Sequence, residues 1–144
     1  MEKLLFCCLL SICSISLGRM SPIVFKELFK TVGHLNEVAK MDTNKLHSPQ
    51  GAFQDCLLSV FKCFVNQSSL LEPVDHKNEN DFNNMLLRLK SSHRYTNLTD
   101  TNPNCQSCNS YDLQPPKIFL RNFQLLLQRL NYLQNMKTTI AQPL

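Results

Sequence analysis

The sequence predicts an all-α protein that folds as a four-helix bundle. Four segments repeat apolar residues at intervals of three and four, the spacing that places them on one face of an α-helix. Alternating β-branched runs, which would indicate strands, are missing from the sequence, and it contains only 3 glycines. Four amphipathic helices can each bury one face by packing together, so a four-helix bundle is the expected arrangement.

The first helix, α1, is predicted over residues 22–40. Ser21 supplies a capping hydroxyl, and Pro22 suits the first helical position. Gly33 weakens the helix interior by roughly 1 kcal/mol relative to alanine. The apolar face consists of Val24, Phe25, Leu28, Val32, Leu35 and Ala39. The polar run MDTNKLHSPQG that follows predicts the end of the helix.

The second helix shows the same apolar spacing, and the third is shorter. Helix α2 is predicted over 52–71 and is ended by Pro73. Its apolar residues are Phe53, Leu57, Val60, Phe61 and Phe64. Helix α3 is predicted over 80–91, after a polar link. Its apolar residues are Phe82, Met85, Leu86 and Leu89, at i, i+3, i+4 and i+7.

The last helix, α4, is predicted to begin at Pro116 and to run to about Met136. Its core stripe is wide and consists of Phe119, Phe123, Leu126, Leu127, Leu130 and Leu133. Residues 92–114 show no periodic pattern and predict a long crossover loop. Such a loop would allow successive helices to run in the same direction rather than alternate up and down.

The N-terminal residues predict export from the cell. The stretch LLFCCLLSICSI carries no charge, and small residues at Ser16 and Gly18 fit a signal-peptidase site. The stretch is too short to cross a bilayer, which takes roughly 20 residues. We therefore expect a signal peptide over residues 1–18 and a secreted, extracellular domain over residues 19–144.

The cysteine and asparagine patterns agree with an extracellular location. Of the 7 cysteines in the chain, the mature domain would retain Cys56, Cys63, Cys105 and Cys108. An even number in an oxidising compartment predicts two disulfides. Two acceptor sequences for N-glycans begin at Asn66 and Asn97.

The spacing of the four cysteines predicts a double staple. Cys56 and Cys63 would share a face of α2 about 10.5 Å apart along the helix axis, too far for a disulfide, which needs about 4.4–6.8 Å between Cα atoms. An extended segment from Cys105 to Cys108 spans a similar distance, about 10 Å. Both α2 cysteines are therefore expected to bond to this loop. The bonds could be Cys56–Cys105 with Cys63–Cys108 or the crossed pair, and the spacing does not choose between them.

Two other interpretations of the CxxC sequence fit less well. A redox pair would require a βαβ context, which the sequence does not predict. A zinc site with four cysteines is disfavoured by export and by the wide spacing on α2. We therefore expect no metal.

Charge and residue spacing also disfavour several classes of function. The formal net charge is +4, and it is spread along the chain, whereas nucleic-acid binding would require a basic cluster. The four histidines, at positions 34, 47, 76 and 93, have no metal-ligand or triad spacing, and phosphate-binding or nucleophile signatures are missing. We expect neither enzymatic activity nor a cofactor.

A cationic protein that acts on membranes is a further alternative. It would need a concentrated basic face opposite the apolar one, whereas the polar face of α4 consists mostly of neutral amides. We expect no membrane insertion, and leakage from lipid vesicles would separate the two classes.

The segment CQSCNSYDLQPPKIFLRNFQLLLQRL, from Cys105 to Leu130, closely resembles the region before and within the last helix of the interleukin-21 family. The matching residues are Cys105, Ser107, Cys108, Ser110, Tyr111, Pro115, Pro116, Lys117, Phe119, Leu120, Phe123, Leu126, Leu127 and Gln128. The spacing of the α2 cysteines, with Phe64 directly after Cys63, is similar to that family as well. The similarity to that family is looser in α1, where the stretch ELFKTV is followed by Leu35.

The resemblance implies a short-chain four-helix cytokine of the interleukin-2 family, with up-up-down-down topology, long crossover loops and the pairing Cys56–Cys105 and Cys63–Cys108. It implies binding to the interleukin-21 receptor and the common cytokine receptor gamma chain, with JAK/STAT signalling in lymphocytes. We expect the protein to act as a monomer. A cytokine of the interleukin-2 or interleukin-15 type, with the same architecture and a similar CxxC, is the alternative.

The first candidate receptor surface lies on α4. Gln124, Gln128 and Asn131 are predicted to line a polar face opposite the core, with Leu125 and Tyr132 beside it. The resemblance implies that Gln128 faces the common gamma chain. Asn131 stands where that family usually has an apolar residue, for which Leu125 or Tyr132 could compensate. Apolar residues beside a polar strip are typical of interfaces with a small hot spot; the alternative is an ordinary solvated surface.

The second candidate surface combines α1 and α3. It consists of Lys26, Phe29, Lys30, Arg88 and Lys90. We expect these residues to meet an acidic private receptor chain, because opposite charges speed the encounter of two proteins. The alternative is again an ordinary solvated face.

Overall fold

The computed structural model describes residues 22–51, 53–92 and 97–141, and four α-helices account for most of these described residues. The helices are α1 (Pro22–Val38), α2 (Leu57–Ser68), α3 (Glu79–Ser92) and α4 (Pro116–Ala141). The predicted helical class is confirmed. The predicted signal peptide and the Ser21 cap lie outside the described residues. Within the described ranges, no helix is both long enough and apolar enough to span a bilayer.

Three helices lie close to their predicted positions because their signals are local. Helix α1 ends at Val38, two residues earlier than predicted. Helix α3 extends the predicted 80–91 by one residue at each end. Helix α4 begins at Pro116 as predicted and continues to Ala141, beyond the predicted end at Met136.

The predicted start of α2 is wrong. The helix begins at Leu57, and Cys56 is its N-cap with an extended φ of −136°. The carbonyl of Asp55 accepts hydrogen bonds from the backbone N–H groups of Thr101 and Asn102, at 2.9 and 3.0 Å. A carbonyl occupied by a distant loop is lost to the helix, so residues 53–56 form a turn. The far end is also shorter than predicted, because residues 69–71 make i→i−3 bonds instead.

A cluster of aromatic rings joins α2 to α4 in the core. Phe64 stacks on Phe123 at a centroid distance of 4.9 Å and lies 5.4 Å from Phe119, while Phe61 meets Phe123 edge to face at 6.2 Å. All four rings are fully buried. Helix α1 adds Leu28, Val32 and Leu35, and α3 adds Phe82, Met85 and Leu89. Each helix therefore buries the centre of its predicted apolar stripe in one core, while Phe53, at the predicted start of the α2 stripe, lies outside the helix and is half-buried.

A short pair of strands, which the sequence did not predict, joins the two long connections. β1 (Leu46–His47) pairs antiparallel with β2 (Leu113–Gln114). Strands of two residues are too short to show an alternating pattern, so the sequence carries no signal for them. In the described parts of the connections, 3₁₀ turns span His76–Asn78 and Cys108–Ser110.

Candidate functional site

Two disulfides fasten the loop before α4 to α2. Cys56 is bonded to Cys105 with a Cα–Cα distance of 5.8 Å, and Cys63 is bonded to Cys108 at 5.3 Å. Of the two pairings that the spacing left open, the structure therefore has the uncrossed one. Cys63 is 2% exposed, whereas Cys56 and Cys105 are half-buried.

Hydrogen bonds hold the same loop along the first turns of α2. Asp100 accepts from the backbone N–H of Ser59 at 2.9 Å and also from its hydroxyl. Leu98, two residues earlier, is buried at 7% exposure and belongs to the core. The loop is thus fixed by covalent, polar and apolar contacts together.

The segment around β1 connects α2, α4 and the stapled loop. The backbone N–H of His47 donates to the side-chain oxygen of Gln67 at 2.9 Å, and its Nδ1 donates to the carbonyl of Tyr111 at 2.8 Å. The side-chain amide of Asn122 donates to the hydroxyl of buried Ser48 at 2.8 Å. These bonds position residues 49–51, 53 and 54, called segment 49–54 below, alongside α4.

A groove of about 1120 Å³ lies between α4 and segment 49–54. Three of the predicted receptor residues, Leu125, Gln128 and Tyr132, line it together. Leu125 is 54% exposed and Tyr132 is 63% exposed, so the two side chains form an exposed apolar pair on α4. Phe53, which the sequence placed in the helical stripe of α2, is half-buried and lines the opposite wall. We call this feature the α4 groove.

The other two predicted α4 residues, Gln124 and Asn131, lie outside the α4 groove. Both residues are half-buried, whereas Gln128, which lines the groove, is exposed. The Nε2 of Gln124 lies 3.6 Å from where a Cβ would stand on Gly33 of α1. The approach of α1 therefore covers one edge of the strip that the sequence predicted to be a single face.

The predicted residues of α1 and α3 are also separated. Arg88 lines a small apolar groove of about 250 Å³ together with Ile23, Val24 and Glu27. Lys26, Phe29 and Lys30 do not line that groove; Lys26 and Lys30 are exposed, and Phe29 is half-buried with its ring 5.8 Å from Phe25.

The position of Phe29 along α1 accounts for its separation from Arg88. Phe29 lies one turn before Gly33 and so shares its α4-facing edge. Lys90 on α3 is exposed. Of the five residues predicted as one surface, Arg88 therefore lines the groove between α1 and α3, whereas Phe29 lies on the edge of α1 that faces α4.

The two predicted glycosylation sites differ in environment. Asn66 is exposed in the last turn of α2, so a glycan there would project from the surface. Ser68 of the same acceptor sequence is buried and donates its hydroxyl to the carbonyl of Phe64 at 2.7 Å. Asn97 is half-buried, next to buried Leu98.

A polar cleft of about 830 Å³, which the sequence did not predict, opens on the other side of segment 49–54. Its lining includes Asp55, Asn104, Gln106 and Asp112, which belong to two separate loops. Tyr111 also lines it, with its ring edge to face against Phe53 at 6.2 Å. Burial, and then the charge of Asp100, raise the pKa of the Tyr111 phenol above its ordinary value of 10.0.

The sequence-based prediction also omitted two arginines of the α4 groove, although their spacing in the sequence indicates a shared face. Arg121 and Arg129 stand one helical turn before and after Leu125 and line the groove with it. An i, i+4, i+8 pattern of this kind around an apolar residue could have been recognised on the outer side of the predicted helix.

No model of a known protein family matches the chain. Histidine, cysteine, aspartate and glutamate residues do not gather into a metal-binding group anywhere in ranges 22–51, 53–92 and 97–141. Fold and site define a mostly helical protein with two disulfides, whose candidate sites are grooves and exposed faces along its helices.

Proposed function

We propose that the protein is a secreted cytokine that binds and activates a heterodimeric class I cytokine receptor. The receptor would consist of the interleukin-21 receptor and the common cytokine receptor gamma chain, and the response would be JAK/STAT signalling in lymphocytes. One observation carries the proposal. The segment that resembles the interleukin-21 family forms both the disulfide-bonded loop and a helix that presents Leu125, Gln128 and Tyr132 side by side.

The contacts between helices support the up-up-down-down topology of these cytokines. Phe61 meets Phe123 and Phe64 meets Phe119, so a later residue of α2 contacts an earlier residue of α4. These two helices therefore run in opposite directions.

The ends of α1 and α2 add to this support. Lys40, just after α1, donates its N–H to the carbonyl of Glu72, and Val74 donates to the carbonyl of Val38. These bonds bring the C-terminal ends of α1 and α2 to the same end of the molecule. Helix α3 starts soon after Val74, and this supports the proposed order of two helices in one direction followed by two in the other.

Export is supported by the two disulfides, which persist in oxidising compartments. The uncharged N-terminal run and the residues before position 19 supply the matching secretion signal. We propose that residues 19–144 act outside the cell as a monomer, without catalysis or a cofactor.

The two receptor chains would use different sides of the bundle. The gamma chain would contact the exposed strip of α4 around Gln128. The interleukin-21 receptor would contact the α1–α3 side, where Arg88 borders an apolar groove with exposed Ile23. Lys90, Lys26 and Lys30 add positive charge on those helices, which would attract an acidic receptor chain.

Surface plasmon resonance with the oxidised 19–144 protein tests the proposal. The ligands are the two receptor ectodomains, and the variants are Gln128→Ala and, as a matched control, Gln106→Ala, an exposed glutamine away from α4. We expect both ectodomains to bind, with only Gln128→Ala weakening the gamma-chain contact.

Other results would redirect the assignment. Binding to an interleukin-2 or interleukin-15 type receptor instead would move the protein to that branch. Absence of receptor binding, together with leakage from lipid vesicles, would replace the cytokine proposal with a membrane-active function.

A further inference from the structure

The α4 groove has an apolar centre that is open to solvent. Leu125 and Tyr132 stand two turns apart on its helical wall, about 10.5 Å along the axis, and both are more than half exposed. Leu126, at 4% exposure, lies beneath them, and half-buried Phe53 faces them from the other wall. Large apolar groups exposed around a concave surface are a mark of a binding site.

Both walls of the groove are held in place before any partner arrives. The Asn122–Ser48 hydrogen bond of 2.8 Å fastens the start of segment 49–54 to α4. Gly51 has a φ of 113°, a value that glycine adopts readily, and therefore permits the bend of that segment. The disulfide at Cys56 anchors the chain just beyond it. A preformed groove lowers the ordering cost of binding.

The charge of the groove has one sign. Arg121 and Arg129 line it, and its described lining contains no aspartate or glutamate. Leu125 stands between them, one helical turn from each. A guanidinium pairs with a carboxylate through two parallel hydrogen bonds, and arginine and tyrosine are enriched among interface hot spots.

From this arrangement we infer that the α4 groove binds a receptor segment in which an aliphatic or aromatic side chain is flanked by a carboxylate. The apolar side chain would pack between Leu125 and Tyr132, and the carboxylate would pair with Arg121 or Arg129. This inference rests on the proposed function, because it describes the receptor chain that binds α4. It adds the chemistry of that chain and the part of the α4 surface that recognises it.

The test uses the secreted 19–144 protein and the common gamma chain ectodomain at low and high salt. The charge variant is Arg121→Glu with Arg129→Glu. Its control is Lys62→Glu with Lys117→Glu, which makes the same change in net charge at two exposed lysines outside the groove. Leu125→Ser with Tyr132→Ser removes the apolar anchors. Circular dichroism and the thermal midpoint establish that each variant is folded.

We expect the arginine reversal and the anchor variant each to weaken binding at least about tenfold, while the lysine control stays within about twofold. The association rate of the wild type should fall as salt rises, and this dependence should be smaller in the arginine variant. Arg121→Gln with Arg129→Gln should give an intermediate loss, which separates lost pairing from added repulsion.

Three outcomes would overturn the inference. In the first, the wild type binds and the arginine reversal binds with the same affinity. This result would contradict the inference about the groove and would leave the proposed function unchanged. In the second, the arginine variant no longer binds heparin beads, and the anchor variant binds the receptor as the wild type does. This result would identify the site as a polyanion-binding surface instead. Failure of the wild type to bind either receptor ectodomain would overturn the proposed function and this inference together.

Discussion

The carboxylate of Asp100 caps α2 from a distant loop by accepting both the backbone N–H and the hydroxyl of Ser59. The helix lacks a cap of its own, because Cys56 at the N-cap position makes no side-chain hydrogen bond to the helix. Its first turn also has no acidic residue. Asp100 therefore satisfies an N–H group that would otherwise have no partner in the helix and places negative charge at the positive end of its dipole.

Replacing Asp100 with alanine should lower the free energy of unfolding by about 1 kcal/mol, as for other lost N-caps. Asp100→Asn should lose less, since its amide oxygen can still accept one bond. Urea unfolding followed by circular dichroism measures the change. Asp42→Ala, at an exposed position in the bend after α1, is the control and should stay within about 0.5 kcal/mol of the wild type. Equal effects at both positions would contradict the capping role.

Tyr111 should make stability fall at alkaline pH. Burial and the nearby Asp100 raise the pKa of its phenol in the folded state. The folded protein therefore holds this proton more tightly than the unfolded chain. The stabilisation is fully present below the unfolded pKa and is lost as pH rises through the folded pKa.

Urea unfolding at about pH 9 and about pH 11 tests this expectation, because the two values bracket the ordinary tyrosine pKa. Tyr111→Phe should lose less stability between them than the wild type. In Asp100→Ala, NMR of labelled tyrosine should show a lower pKa for Tyr111 that still lies above its ordinary value, since burial remains. A Tyr111→Phe profile identical to the wild type would contradict the prediction.

The two disulfides should be reduced in a definite order. Cys63 is almost fully buried, whereas Cys56 and Cys105 are half-buried, and exchange requires access of a thiolate to the sulfur. Graded reduction, alkylation and mass spectrometry should therefore detect free Cys56 and Cys105 first. Loss of either bond should cost about 4 kcal/mol in the chain-entropy model, because each closes a long loop. Simultaneous opening of both bonds at every reductant concentration would contradict the order.

Two glycines should respond in opposite directions to the same substitution. Gly33 lies inside α1, and a Cβ there would meet Gln124 at 3.6 Å, an ordinary contact. Gly33→Ala should therefore raise the free energy of unfolding by roughly 0.5–1 kcal/mol. Gly51→Ala should lower it, because alanine is strained at a φ of 113° even though the space is open. Thermal unfolding of both variants gives the sign of each effect, and destabilisation at Gly33 would show that Gln124 cannot adjust.

The accuracy of the sequence-based prediction depended on how local each signal was. Helix α4 was placed correctly at its start because Pro116 and the apolar repeat that follows belong to one stretch of chain. The start of α2 was misplaced because the carbonyl of Asp55 is bonded to Thr101 and Asn102, and no pattern near Asp55 announces those partners. The partial burial of Gln124 could not be predicted for the same reason, since its neighbour Gly33 belongs to another helix.

The sequence by itself determined that four amphipathic helices form and that four cysteines are available for two disulfides. It also determined which residues of α4 lie outside the core stripe. Only the tertiary structure decided that Cys56 bonds to Cys105, that Asp100 caps α2, and that segment 49–54 forms a groove with Leu125, Arg121 and Arg129. Helical periodicity arises from neighbours three and four residues apart, and the sequence displays it directly. Which distant segments meet depends instead on how the four helices pack against one another.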